Sequence, residues 1–487
     1  MIGSEALVET RLNIAGRLLI AALPMCSLAW SANGAAQQLE WSLRPYRVHL
    51  VVAVEGPGGA ADLYAETLPK YLAERAAGAI GPLWELDVQL AAGVMRHRAL
   101  YELETFHGDP DAAFGFKGDK LVFLGVSWRA DGYVLLAREF DSHVRRWGPL
   151  LRREAPQHAA LPEQLFNLLW QVVAPLAHLD VDLEDPQRAI LTPRGSSLPR
   201  NTADVPSIGP GEVMLPVLRR TTRTGELAPD GIRAIPWTYI ETVETQEDGR
   251  LVGRIHSGTR RPLGAGRRGR IEQVAIVLRQ DAVDTMVTLV SRSNPQQPLV
   301  GYEVRSHDSG SDEKNAVLVG LTDGRGAVRV GRTSTPVQFL TIKNGGSPLA
   351  RLPIVPGVEP RIEVRVADDQ TRFQAEVRLA ALREELIDVV ARRNILVARV
   401  RQKMDAGDFK TAQELLTAIE QLPGHSQFNQ ELTRERRLQR ASDARAQQRI
   451  EQLIAGTEIV LNQFLDVRPI RELQQEFRTR QSQSDGG

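Results

Sequence analysis

Residues 46–77 read YRVHLVVAVEGPGGAADLYAETLPKYLAERAA. Tyr46 to Val54 is a β-branched run, and Glu55-Gly56-Pro57-Gly58-Gly59 stops it, the pattern of a strand followed by a turn. Ala60 to Ala77 then carries Leu63, Leu68, Tyr71 and Leu72 near helical spacing, which predicts a helix. Further on, Trp84 to Leu90 alternates apolar and polar residues as a half-buried strand does. Lys120 to Trp128 and Tyr133 to Phe140 flank Arg129-Ala130-Asp131-Gly132, a hairpin signal with an Asp-Gly turn. Leu161 to His178 is predicted as a closing helix. Residues 41–180 therefore read as a mixed α/β domain of order β-α-β-β-β-α.

Upstream, residues 1–36 read as a signal peptide. Arg11 and Arg17 supply positive charge, Leu18 to Leu28 (LLIAALPMCSL) is a short apolar run, and small residues from Ala29 to Ala36 follow. That order is the export pattern, and the run is too short to span a bilayer. The sole cysteine, Cys26, lies inside it. The mature chain is expected to carry no thiol, which excludes disulfides and Cys-based zinc sites. The expected location is the periplasm or the exterior of a bacterial cell, with no transmembrane segment in the mature chain.

The 487 residues predict three or four domains at about 100–200 residues each. Apolar residues make up 42%, and Lys+Arg and Asp+Glu number 60 each. A neutral chain has no overall field to draw in nucleic acid, so no nucleic-acid partner is expected.

Downstream of the α/β domain, residues 181–270 read as a small β-barrel-like domain. A Pro/Gly-rich connector, Thr192 to Pro210, precedes the strand candidates Glu212–Leu218, Ile232–Val243 and Arg250–His256. Residues 271–368 carry about seven short strand candidates separated by turn signals, which argues for a β-sandwich. These run from Gln273–Leu278 through Met286–Val290, Leu299–Val304, Val317–Leu321, Ala327–Val330 and Val337–Ile342 to Arg361–Val366. From residue 371 to 477 strand signals vanish. Leu379, Leu382, Leu386, Val389 and Val390 repeat at helical spacing, Ala406-Gly407-Asp408 breaks the helix, and Phe409–Leu422 and Gln430–Phe464 continue as helices. Residues 478–487 are predicted to be a disordered tail. The fold class is thus multidomain α+β: mixed α/β domain, small β-barrel, β-sandwich and C-terminal α-helical domain.

Two modules carry resemblances. Leu321-Thr322-Asp323-Gly324-Arg325-Gly326 resembles the G-T-D-x-x-G turn of transthyretin-like, carboxypeptidase-regulatory-like sandwiches, which implies a non-catalytic spacer or binding module. The stretch DAGDFKTAQELLTAIEQLPG, with Gly407, Phe409, Ala412 and Pro423, resembles one tetratricopeptide-type helical hairpin junction. Only one such unit is visible, and about three make a stable solenoid. The whole chain resembles uncharacterised secreted bacterial multidomain proteins.

No motif supplies a catalytic site. Gly56 to Ala61 fits G-x-G-x-x-A, but Pro57 stiffens the turn and no acidic residue follows the second strand, so a tight helix entry is expected and no cofactor. No histidine pair has metal-binding helical spacing, no calcium-loop order occurs, and G-x-S-x-G is absent. Glu139 and Asp141 alternate on one strand end and share a face; pairing with Arg138, Arg145 or Arg146 is the expected fate of these carboxylates. The basic loop containing Arg260, Arg261, Arg267, Arg268 and Arg270 is expected to be a solvated interdomain linker, with a grip for phosphate, anionic lipid or acidic polysaccharide as the functional alternative. Trp237 and Tyr239, two apart on a strand, are expected to point to one face as barrel core or as a ligand platform.

These features read as a non-enzymatic exported envelope scaffold, docking a protein partner through the C-terminal helices, with Phe409 among the candidate contacts. Two alternatives stand beside it. One is a secreted hydrolase with its site in the α/β domain, and the other a carbohydrate- or cell-wall-binding protein using the Trp237/Tyr239 face.

Overall fold

The structure is a computed structural model. It describes residues 41–485 apart from 109, 111–115, 117, 131, 156–159, 183, 200, 202–206, 260–261, 264–269 and 442. The stretch read from sequence as a signal peptide, with Cys26, and Arg260, Arg261, Arg267 and Arg268, lie outside the described residues. The fold is multidomain α+β.

In the α/β domain, strand β1 (Tyr46–Val54) lies between β2 (Trp84–Leu90) and β3 (Lys120–Arg129) and runs parallel to both. Helix α1 (Ala60–Ala79) makes the crossover from β1 to β2. β4 (Gly132–Asp141) returns antiparallel to β3, and β5 (Arg146–Trp147) and β6 (Leu151–Ala155) pair with β4. β1 and β3 have apolar residues on both faces because helices and a second domain cover them. Helix α2 (Leu161–Val172) packs its Leu161, Leu165, Phe166, Leu168 and Leu169 face into this core.

The sequence predicts that this helix runs on to His178, but it stops at Val172. Pro175 lacks an amide proton and restricts the residue before it. Leu176–Val181 becomes strand β7. With β8 (Arg188–Pro193), β9 (Val213–Thr221), β11 (Thr238–Thr245), β12 (Leu251–Ser257) and β13 (Ile271–Val277) it closes a six-stranded antiparallel barrel of order β7-β8-β12-β11-β9-β13. β10 (Leu227–Ala234) hangs on β9. Two expectations change here. Ile232–Val243, read as one strand, is broken by Pro236-Trp237, where Trp237 takes a positive φ of 52°. Gln273–Leu278, assigned from sequence to the sandwich, instead pairs with β7 and β9 and shuts the barrel.

The barrel is small and filled by side chains. Leu251 and Ile255 of β12 join Ala189, Leu191, Met214 and Ile240 in its interior, while Val252, Arg254 and His256 alternate with them on the other side. Between them, Gly253 leaves no room for a larger residue, since a Cβ there would lie 2.5 Å from Ile240 Cγ2. The outer face of β9 and β13 does not meet water. Leu215, Val217, Val274 and Ile276 enter the same apolar cluster as Val52, Leu72 and Leu165. Domain and barrel thus share one core.

The sandwich has sheets β17-β14-β20 and β16-β15-β18-β19, formed by β14 (Asp284–Ser291), β15 (Glu303–Asp308), β16 (Val317–Leu321), β17 (Ala327–Gly331), β18 (Gln338–Asn344), β19 (Ser347–Ile354) and β20 (Arg361–Val366). β19 escapes the sequence reading because Pro348 and Pro353 break its pattern. The Thr322-Asp323 turn crosses between sheets. Thr322 Oγ1 donates to Leu299 O at 2.6 Å, and Asp323 Oδ1 accepts from the Arg325 and Ala327 amides. Gly326 closes the turn at φ 72°, with Leu289 O 2.5 Å from where a Cβ would sit.

The C-terminal region is all helix: α3 (Gln370–Asp405), α4 (Phe409–Glu420), α5 (His425–Leu438), α6 (Ala444–Phe464) and α7 (Arg468–Asp485). The 36-residue α3 is a spine with a core at each end. Its first half packs Leu379, Leu386 and Val389 against Phe428 of α5 and Ile450 and Ile454 of α6. Its second half packs Val400 and Met404 against Ala412 and Leu416 of α4 and Leu473 and Phe477 of α7. The tail predicted to be disordered from residue 478 is part of α7 as far as Asp485. Buried Leu473 and Phe477 anchor this helix, and Arg480 pairs with Asp405 at 2.6 Å. No helix of the described residues is long and apolar enough to cross a membrane.

Candidate functional site

The residues with chemistry in them gather where the α/β domain meets the barrel. Lys120 opens β3 and Glu139 and Asp141 close β4, so the hairpin register brings them together. Lys120 Nζ lies 2.5 Å from Glu139 Oε1 and 2.5 Å from Asp141 Oδ2, and donates to Ala174 O at 2.5 Å. The other oxygens are also engaged: Glu139 Oε2 accepts from the Ala174 amide at 2.7 Å, and Asp141 Oδ1 from the Val144 amide at 2.9 Å. All three side chains are almost fully buried. Burial alone would lower the lysine pKa, but Asp141 and Glu139 overcome it and hold the ammonium above the usual lysine range. Burial pushes Glu139 up against the pull of Lys120, and Asp141 adds to that push.

Around this triad runs a shell of further pairs. Arg194, at the end of β8, donates to Asp119 Oδ2 at 2.7 Å and to Pro45 O at 2.6 Å, and stacks over Tyr46. Burial works against ionised Asp119, yet Arg194 and the Arg47 amide keep its pKa below the ordinary value. Glu272 of β13 receives the Trp41 indole N–H at 3.1 Å, His143 at 3.3 Å and Arg219 at 3.3 Å. Burial opposes its charge, but these partners hold Glu272 down at about 2.

A cleft of about 820 Å³ opens beside the triad, bounded by the α/β domain, β13 and the 357–360 loop of the sandwich. Glu139 and Asp141 line it, as do Arg138, Arg146, Trp147 and Glu359. The expected pairing of the two carboxylates with nearby arginines is not what forms. Arg138 instead donates to the carbonyls of Leu103, Glu104 and Phe106, and Arg146 pairs with Glu359 at 3.1 Å. The carboxylates find Lys120, whose place at the head of an apolar strand gave no sign of its partner. Among the described residues no group of His, Cys, Asp or Glu side chains is placed to hold a metal ion.

The structure divides the other candidate residues among different environments. Trp237 sits in the turn before β11 and packs against the sandwich core. Tyr239 points elsewhere, against the α/β core and the Val213/Val337/Val355 cluster between barrel and sandwich. Burial, with the Glu359 carboxylate nearby, pushes Tyr239 up to about 12. The two rings therefore serve as separate interdomain anchors. Phe409 packs in the second helical core, 6.0 Å from the Phe477 ring. Arg270 is exposed at the foot of β13, and its carbonyl accepts from the Thr221 amide.

Fold and site together define a class: a multidomain α+β chain with a buried cluster of charged side chains where the α/β sheet meets the barrel. No family model matches the sequence, and no curated protein matches it. Among solved structures the chain is similar to TolB from Acinetobacter baumannii, at 11% identity over 67% of this chain and 96% of that one, with a TM-score of 0.17. It is also similar to the Bacillus anthracis TIE protein, at 9% identity over 51% and 42% of the two chains, TM-score 0.15. A third is BcpA, the major pilin subunit of Bacillus cereus, at 7% identity over 52% and 71%, TM-score 0.14. Overlaps this slight carry no argument about role.

Proposed function

We propose that this chain is a non-catalytic, exported bacterial envelope scaffold that engages a protein partner through its C-terminal helices. The observation that carries the reading is the fate of Glu139 and Asp141. Every oxygen of this carboxylate pair is committed to Lys120 or to a backbone amide. A general acid or base needs an oxygen within reach of substrate, and here the pair is spent on fixing the β3–β4 hairpin and the Ala174 connector that leads into the barrel. Export rests on the residue 11–36 pattern. The helical arm supports the docking role, because α3 leaves Val377, Ile387 and Ile395 more than half exposed, and Ile459 of α6 is exposed as well. An apolar helix face of this kind suits a protein partner better than a sugar or an ion.

The test is site-specific photocrosslinking in cells from Ile387 and Ile395, with Leu63 on α1 as the reference position. The reading expects one envelope protein to crosslink at the α3 positions only. It also expects that protein to bind the purified full chain, and Ile387→Glu/Ile395→Glu to abolish the complex without loss of helix. Equal crosslinking from Leu63, or a complex indifferent to the double variant, refutes the docking arm. A hydrolytic activity that disappears in Glu139→Gln refutes the non-catalytic assignment.

A further inference from the structure

The barrel carries a second cleft, of about 870 Å³, where its solvent-facing side meets the sandwich. Its walls follow from strand alternation. On β12, Leu251, Gly253 and Ile255 turn inward, so Arg254 and His256 turn out. On β8, Ala189 and Leu191 turn inward, so Arg188 turns out. The register then sets Arg188 directly opposite Arg254. Like charges opposite one another on neighbouring strands are destabilising. The acid that faces Arg254 on its other side, Glu241 of β11, gives its carboxylate to His256 Nε2 at 2.8 Å. Among the described residues, the Arg188 side chain has one ion-pair partner, Asp182 at 4.0 Å, and its buried Nε has no hydrogen-bond partner.

The sandwich supplies a third guanidinium. Arg351 of β19 lies over the Phe339 ring at 4.7 Å, meets His307 Nε2 at 3.1 Å and pairs through Nη1 with exposed Glu313 at 3.7 Å, which together hold it at the cleft wall. His307 stacks on the same ring. Three arginines thus face one space, where the lining includes a single carboxylate, Asp185. That carboxylate already accepts from the Gln187 amide at 2.9 Å. The Phe339 ring is occupied by Arg351 and His307, so the cleft reads charge and offers no free aromatic platform.

We infer that this cleft binds a ligand bearing closely spaced oxyanion groups, with Arg188 and Arg254 gripping one group together and Arg351 a second. Guanidinium forks match sulfate, phosphate and carboxylate oxygens, and an anion bridging Arg188 and Arg254 removes their repulsion. The inference stands apart from the docking role of the helices. It also differs from assigning anion binding to the Arg260–Arg270 stretch, because the three arginines belong to β8, β12 and β19.

The experiment is calorimetric titration of the full chain with two probes, inorganic tripolyphosphate and a sulfated uronate hexasaccharide. The comparison set is wild type, Arg188→Gln/Arg254→Gln and Arg267→Gln/Arg268→Gln. The expected result is saturable binding of at least one probe, weakened about tenfold or more in Arg188→Gln/Arg254→Gln, with a shallower salt dependence. Binding of both probes assigns the site to oxyanions in general, and binding of one assigns the source. The thermal midpoint of Arg188→Gln/Arg254→Gln should equal or exceed that of wild type, because a repulsion is removed, so weakened binding is not unfolding. No binding of either probe overturns the inference. So does binding that survives in this variant, or that is lost only in Arg267→Gln/Arg268→Gln.

Discussion

Two joints in this molecule bury a basic side chain among carboxylates, and they are built at different ranges of sequence. At the α/β–barrel joint, Lys120 holds Glu139, Asp141 and the Ala174 carbonyl, while Asp119–Arg194 and Glu272 with Trp41, His143 and Arg219 tie further segments across the same boundary. At the sandwich–helix joint, Arg372 meets Asp369 at 2.6 Å and Glu376 one turn along, and only its bond to Asn344 O at 2.6 Å reaches another element. Tyr302 adds two bonds there, accepting from the Asp369 amide at 3.0 Å and donating to Asp368 Oδ1 at 3.4 Å, and Gln297 donates to Asp368 Oδ2 at 3.0 Å. The first joint lies on a core shared by both modules. The second is a local helix-start cluster that happens to catch the sandwich. The first should therefore unfold with the modules it joins, and the second should yield first.

The largest expected effect comes from Lys120→Met. It strands two buried carboxylates, and breaking a buried pair from one side costs about 3–5 kcal/mol. Urea unfolding followed by tryptophan fluorescence should show this loss. Lys120→Met/Glu139→Gln/Asp141→Asn should recover much of it, since neutral groups need no counter-charge. A loss under about 1 kcal/mol in the single variant would reduce the first joint to ordinary packing.

Glu272→Gln probes the same joint through pH. A carboxyl held at about 2 instead of 4.5 contributes about 3 kcal/mol. Because the folded value is the depressed one, that contribution is complete above the unfolded pKa and is lost as pH falls from about 4.5 through 2. Wild type and Glu272→Gln should thus differ most at pH 7 and converge toward pH 2. A constant gap across that range would show that the variant acts by shape alone.

Arg372→Met sharpens the contrast. It strands one buried carboxylate, Asp369, where Lys120→Met strands two, so it should cost about 3 kcal/mol, the lower end for breaking a buried pair. The decisive sign is its shape: the helical circular-dichroism signal should melt ahead of the β signal, which Lys120→Met should not produce. The smallest expected effect is that of Trp237→Ala, about 1–2 kcal/mol for a half-buried ring at the barrel–sandwich boundary. Measured equality with Lys120→Met would contradict the ranking of the joints.

Much of the architecture was legible. Tyr46–Val54 and Trp84–Leu90 match their strands residue for residue, because a run bounded by turn residues has few alternative conformations. The helix break at Gly407 was also readable, since glycine there adopts φ 73° and Asp408 caps the next helix through the Thr411 amide. What failed was where long-range pairing overrides local pattern. Leu176–Val181 continues an apolar helical run in sequence, but the barrel needs it as a strand. Ile271–Val277 reads as an ordinary strand, and nothing local says which sheet it joins. The site was less legible still. Glu139 and Asp141 were visible as a pair, and the β3–β4 register supplies Lys120 to them, but Arg194 and Glu272 come from distant segments that only closure of the barrel on the α/β core brings in. Trp237 and Tyr239 looked like one face until the positive φ at Trp237 turned its ring to the sandwich.

The central claim is that the joints make one rigid scaffold. Electron-spin distance measurement tests it directly, with labels on Leu63→Cys in α1 and Ile459→Cys in α6, in a Cys26→Ser background. Both positions are exposed, at 59% and 67%, so labelling need not disturb a core. A rigid scaffold predicts one narrow distance distribution in the otherwise unaltered chain, broadened when Arg372→Met is added. A broad distribution before that substitution would mean that the helical arm swings freely and that the buried joints do not set its position.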